Sequence, residues 1–221
     1  MAKEQKDLTM TASINYYLTP VSPWAYLGAK RFRQIAETHG ARVHLKVVDY
    51  GTIFPKTGGL PLPKRSPERQ AYRMMDLKRF RDFLNIPLVL EPEFFPSKTR
   101  LTAYTIIATA ERLGDHQAML AAEAVLSGLW AENLDMDAQE NVIAMLNKAG
   151  LDGAGLVDHA LAHQAEYDAK IAKDTDQALA DGVFGAPSYV VDGEVFWGQD
   201  RLELLNWRLE NWGVEQGGKN G

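Results

Sequence analysis

Two short runs, far apart in the chain, hold most of the residues that could do chemistry. Near the N-terminus, "VSPWAYLG" (residues 21–28) puts one hydroxyl, Ser22, where an apolar, strand-like run (12–18) gives way to an apolar, helix-like one (24–38). Near the C-terminus, "FGAPSYVVDGEVFWGQDRL" (184–202) carries Pro187 at the head of a strand-like run and Gln199, Asp200 and Arg201 ahead of the last helix-like run. The first N–H groups of a helix are unpaired and its dipole favours negative charge there. Ser22 can therefore be a plain N-cap with Pro23 as the first-turn proline. It can equally be a hydroxyl that donates to an anion held at that helix end. The two roles do not exclude each other. Pro187 reads either as an ordinary strand-start proline or as a special turn, and Asp200 is a natural N-cap for the last helix.

A third candidate group is cationic. From Lys64 to Asp82 there are seven basic residues (64, 65, 69, 73, 78, 79, 81) against three acidic ones (68, 76, 82). Such a run is usually a solvated helix face, but Lys64 and Arg65 fall in a Pro-rich loop before the helix, from which they could reach a site.

What is missing narrows the chemistry further. The 221 residues include no cysteine, which removes disulfides, thiolate metal sites, thiol nucleophiles and dithiol redox chemistry together. Any thiol chemistry needs a thiol from outside. The composition (46% hydrophobic, 24% charged) is that of a globular domain, and the net charge of −5 argues against a nucleic-acid partner. MAKEQKDLTMTA has no apolar leader-like core, and no apolar run approaches the ~20 residues that span a bilayer, so a cytoplasmic location without a membrane partner is expected. His159 and His163 have the i, i+4 spacing of metal ligands, yet no glutamate lies between them and no third ligand is evident, so no metal is expected. The Gly cluster 152–155 lacks the preceding strand of a dinucleotide fingerprint. Trp130, Tyr104 and Tyr167 read as core.

The elements that must position these residues follow from periodicity. Residues 12–18 alternate as a strand, 24–38 form a helix closed by Gly40, and 42–50 alternate again, which makes a βαβ unit with parallel strands. Residues 51–67 are dense in Gly and Pro and read as loop. From 67 to 181 only helical patterns occur, the last being one long helix over 156–182. Then Asp192-Gly193 joins two short apolar runs as a hairpin, and 199–212 forms an amphipathic helix with Leu202, Leu205, Trp207, Leu209 and Trp212 inward. This order predicts an α/β, thioredoxin-like β-α-β…β-β-α core with a large all-helical insertion. The expected division is 10–62 with 183–213 as a discontinuous thioredoxin-like domain, 63–182 as a helical domain, and 214–221 as a loose tail.

In such a core the turn into the first helix carries the chemistry, and here a redox cysteine pair is replaced by Ser22-Pro23-Trp24-Ala25. Together, "SPWAYLG", "GLPLPKR" and "FGAPSYVVDGEVFWGQDRL" resemble the 2-hydroxychromene-2-carboxylate isomerases, which are grouped with kappa-class glutathione transferases and DsbA-like proteins. The resemblance spans about residues 12–212. It implies that Ser22 is catalytic, donating to the glutathione sulfur and favouring its thiolate. It implies a cis Ala186–Pro187 bond whose backbone pairs with glutathione, and glutathione contacts from Lys64, Arg65, Gln199, Asp200 and Arg201, with Asp200 on the γ-glutamyl ammonium. Trp24, Phe54 and Lys64 would face a small aromatic carboxylate substrate, and a homodimer is expected. Kappa members carry an Asn in the 51–67 loop, and often a Ser at position 199, that this chain lacks. The implied activity is isomerisation of 2-hydroxychromene-2-carboxylate to trans-o-hydroxybenzylidenepyruvate by reversible thiolate addition. The alternatives are a kappa-like transferase acting on other electrophiles and a cysteine-free DsbA-like module that binds extended peptides.

Overall fold

β1 (Ser13–Leu18) and β2 (Arg42–Val47) run parallel, Ser13 opposite Arg42 and Leu18 opposite Val47. The crossover that parallel pairing demands is α1 (Pro23–Thr38). β3 (Ser188–Val191) lies antiparallel on the other side of β1, and β4 (Glu194–Trp197) borders it, so the sheet order is β2-β1-β3-β4. The β3–β4 turn puts both Asp192 (φ 49°) and Gly193 (φ 79°) in the left-handed region, as a two-residue primed turn requires. This is a computed structural model, and it describes residues 11–98 and 100–212; the expected tail at 214–221 lies outside them.

Alternation along the strands sends side chains to two cores. Ile14, Tyr16, Leu18, Val43, Leu45, Val47, Tyr189 and Val191 face one. There Phe32 of α1 sits 4.5 Å, ring to ring, from both Tyr16 and Tyr189. Tyr17 and Val190 face the other, where α2 (Tyr50–Thr57) supplies Tyr50 and Ile53, and α8 (Gln164–Ala180) supplies Ala178. The helices α3 (Pro67–Leu84), α4 (Arg100–Leu113), α5 (Asp115–Trp130), α6 (Gln139–Lys148) and α7 (Gly153–Ala162) come between α2 and α8 in the chain. Ala118, Ala121 and Ala122 are buried on α5, where small side chains let neighbouring backbones approach closely. Polar ties between described residues fasten this helical block to the sheet layer, two of them ionic and largely buried. Arg33 of α1 meets Glu123 of α5 at 2.6 Å, and the nearly buried Asp174 of α8 takes both Lys46 of β2 (3.4 Å) and Lys170 (2.8 Å). As the pattern suggested, Trp130, Tyr104 and Tyr167 are core residues.

Five expectations need correction. The strand read over 42–50 ends at Val47, and 51–67 is not all loop: α2 occupies its first part and a 3-10 turn spans Leu62–Lys64. Asp49 caps α2 by accepting from Gly51 N–H at 2.8 Å, and Gly58 ends it at φ 77°. The helix read over 156–182 is two helices, breaking at His163 (φ −117°, ψ 26°), so His159 and His163 do not share one helix. α9 (Leu202–Glu210) buries Leu202, Leu205 and Leu209, but Trp207 is 59% exposed. Five residues from Leu202, it lies about 140° around the helix from that stripe. Finally, Asp200 does not cap α9; it falls inside a 3-10 turn (Gln199–Arg201) that precedes the helix, and no side chain caps either element.

Candidate functional site

Ser22 ends the turn after β1 in extended conformation (φ −77°, ψ 120°), and its Oγ accepts a hydrogen bond from the Ala25 N–H at 3.2 Å. The capping role is therefore real. It uses a lone pair of the hydroxyl and leaves the proton free to donate elsewhere. That proton faces the Ala186 carbonyl at 3.5 Å, the outer limit of a hydrogen bond, and Ser22 is 7% exposed. Pro23 has no N–H to leave unpaired, and the N–H of Trp24 belongs to the first-turn donors that have no partner within the helix. An anion brought to this point meets a hydroxyl proton and a helix N-terminus whose first turn carries no acidic residue.

The segment opposite is fixed from three sides. The Ala186–Pro187 peptide is cis. Tyr50, 7% exposed, donates its hydroxyl to the Gly185 carbonyl at 2.8 Å, and Ser188 donates to the same oxygen at 2.7 Å. The Gly198 N–H donates to the Pro187 carbonyl at 2.9 Å. Gly185 must be a glycine because the Trp197 indole lies against it: a Cβ there would stand 2.2 Å from Nε1. Burial pushes the Tyr50 hydroxyl well above the usual phenol range, so it stays a donor. Tyr50, Gly185 and Trp197 were not singled out from the sequence. Tyr50 was hidden because it read as the end of a strand, although Asp49 before it is a good N-cap residue.

The remaining candidates fall around this centre. Trp24, half-buried, meets Phe80 of α3 edge-on with 6.0 Å between ring centroids, so it spans from α1 toward α3. Phe54 lies 5.5 Å from Tyr50 and packs, as Ala186 does, against the smaller core, and Gly59 covers its ring. Asp200 and Arg201 are exposed and pair with each other at 2.8 Å. Gln199 departs from expectation. Its side chain is 1% exposed, accepts from Arg31 at 3.0 Å and packs against Gly28 of α1. It is turned into the protein, which leaves its backbone rather than its amide for any ligand. Lys64 is exposed at the end of the 3-10 turn, and Arg65, half-buried, donates its Nε–H to the Leu60 carbonyl at 2.8 Å. Ser22, Ala186, Pro187 and Gly198–Asp200 are joined by a chain of direct contacts; among the hydrogen bonds and ion pairs of the described residues, none ties Lys64 or Arg65 to Ser22. Among the described residues no group of three or more His, Asp or Glu could hold a metal ion, and no helix is long and apolar enough to cross a membrane.

A thioredoxin-like sheet interrupted by helices, with its first helix capped against a cis-proline segment, defines the class. The chain belongs to the family described as DSBA-like thioredoxin domain, which matches residues 13–210. Among characterised relatives, it is 28% identical over 199 residues to the 2-hydroxychromene-2-carboxylate isomerase of Sphingobium xenophagum, covering 89% of this chain and 97% of that one. It is 27% identical to human glutathione S-transferase kappa 1 over 213 residues, covering 90% and 92%. Among solved structures, a 2-hydroxychromene-2-carboxylate isomerase superposes with a TM-score of 0.71 at 24% identity over 95% of this chain and 99% of that one. The cytosolic disulfide reductase DsbM from Pseudomonas aeruginosa with GSH gives 0.62 at 15% identity, over 94% and 98%. These structural likenesses bear on the fold.

Proposed function

We propose that the chain is a glutathione-dependent isomerase of conjugated aromatic carboxylates, with 2-hydroxychromene-2-carboxylate and trans-o-hydroxybenzylidenepyruvate as the interconverted pair. One observation carries this reading: in a chain without cysteine, Ser22 uses its lone pair to cap α1 while its proton is held only by a long, 3.5 Å contact to the Ala186 carbonyl. Glutathione, when bound, supplies a thiolate that adds reversibly to a conjugated double bond and so lets that bond rotate. The chain's own part is to hold and ionise it. Ser22 donates to the sulfur, the α1 terminus adds favourable charge, and the Ala186 backbone pairs with the extended tripeptide as an added strand would. Asp200 suits the γ-glutamyl ammonium, with Arg201 beside it, and Lys64 and Arg65 suit carboxylates. Trp24 and Phe54 wall the substrate. The tight pairing of Asp200 with Arg201 must loosen for Asp200 to act. The reaction is redox-neutral, which suits a site without thiols. Names of relatives along almost the whole chain agree with it. A cytoplasmic, homodimeric protein fits a glutathione-using role.

The test is turnover of the chromene by the purified chain, followed by ultraviolet absorbance with and without glutathione. Glutathione-dependent interconversion is expected; its absence removes the assignment. The kappa-class relatives favour a second reading, conjugation of glutathione to other electrophiles, and a chlorinated dinitrobenzene assayed in parallel separates the two. A melting temperature that glutathione leaves unmoved would favour a peptide-binding module instead, because a ligand of the folded state must raise it.

A further inference from the structure

α3 turns Leu77, Phe80 and Leu84 toward the core, with Leu77 fully buried. Position 73 continues the same stripe one turn earlier, since 73, 77, 80 and 84 repeat at i, i+4, i+7 and i+11. It carries an arginine where packing alone would take an apolar side chain. The Arg73 guanidinium lies 5.6 Å from the centroid of the Phe95 ring, which is itself backed by buried Trp130 at 5.0 Å. Its other described polar contact is the Met74 sulfur at 3.6 Å. Burial and the charge of Arg65 both push the Arg73 guanidinium down, and burial and Arg69 do the same to Arg65. Among the described residues no carboxylate answers these three cations. The acids of α3 are spent elsewhere: Asp76 on Arg79, Asp82 on Arg81, and Glu68 on Ser66 and its own amide. A half-buried cation beside a second one, with no counter-ion, is an arrangement that an incoming anion would stabilise.

We propose that Arg73, with Arg65 beside it, takes the carboxylate of a flat, conjugated aromatic acid. The planar guanidinium offers paired donors to a carboxylate while its face rests on an aromatic ring. Phe80, about two turns or ~10 Å along the same stripe, meets Trp24, two residues from Ser22. The inward face of α3 thus leads from the cations to the helix terminus where the thiolate would be held. The inference rests on the isomerase reading and moves the substrate's carboxylate from Lys64 to Arg73, leaving Lys64 to glutathione.

The experiment is calorimetric binding of trans-cinnamate and of its uncharged methyl ester. The wild-type chain should prefer the anion by about tenfold or more. Arg73→Met should abolish that preference, and Arg73→Lys, which keeps the charge but loses the fork, should keep part of it. A wild-type chain without preference, or a full preference retained in Arg73→Met, overturns the proposal. Should Arg73→Met fail to fold, an undiminished preference in Arg73→Lys overturns it in the same way. A chain that prefers the anion yet never isomerises the chromene would sink the isomerase reading and leave this site standing. A chain that isomerises it without that preference would do the reverse.

Discussion

Replacing Ser22 separates two functions that one oxygen performs. Ser22→Ala removes the acceptor that satisfies the Ala25 N–H and also the proton directed at Ala186. Loss of a cap costs about 1 kcal/mol of stability. Loss of a hydrogen bond to a charged sulfur costs roughly 1.5–3 kcal/mol of that ion's stabilisation. At 1.36 kcal/mol per pKa unit, the thiol of bound glutathione should titrate about one to two units higher than in the wild-type complex. Below the wild-type value the ionised fraction, and with it turnover, should fall about 10- to 100-fold. The assay is ultraviolet thiolate absorbance of the complex across pH, alongside urea denaturation. Ser22→Asp divides the two effects, because a carboxylate caps well but has no proton to give and repels a thiolate. It should recover stability relative to Ser22→Ala and remain inactive. A Ser22→Ala complex that titrates at the wild-type pH, or an active Ser22→Asp chain, refutes the reasoning.

Tyr50→Phe should lower stability by about 0.5–1.5 kcal/mol, since the Gly185 carbonyl keeps Ser188 as a donor, and should weaken glutathione binding, as read by calorimetry. Asp174→Asn should cost about 1–3 kcal/mol in urea denaturation by leaving Lys46 and Lys170 without their shared, buried anion; no loss would mean that water serves them as well. Burial raises the hydroxyls of Tyr16, Tyr50 and Tyr189 above the usual phenol value, so the unfolded chain releases their protons first as pH rises. Stability from these groups should be full below pH ~10 and decline above it, visible as falling urea midpoints, and Tyr50→Phe should make that decline shallower.

The strand and helix order was legible in the sequence because two-residue and 3.6-residue periods are strong where one face is buried. The all-helical middle was legible for the same reason, as were the β1–β2 parallel pairing and the Asp192-Gly193 turn. The misreadings have local causes. α2 was lost because Gly51, Pro55 and Gly58 outweighed the cap at Asp49. The break at His163 was lost because residues on both sides are good helix formers and no Gly or Pro marks it. At the site, Ser22 and the 184–189 run were recognisable as motifs, but Gln199 was not recognisable as buried. That depends on Gly28, which lets the Gln199 side chain lie on α1, where a Cβ at position 28 would stand 2.8 Å from Gln199 Cβ. Tyr50 and Arg73 matter through contacts that no spacing rule connects.

Ser22 and Ala186 are 164 residues apart, and β1 meets β3 with Ile14 opposite Val191. Closing so long a loop is entropically costly and slow compared with forming the helices between its ends. During synthesis the hydroxyl emerges early and its partner segment late, after all of α3 to α8. A chain interrupted anywhere in that stretch has a capped helix but no facing carbonyl and no third strand. The site therefore cannot exist until the chain beyond α8 has been made, although its hydroxyl is among the first residues to appear.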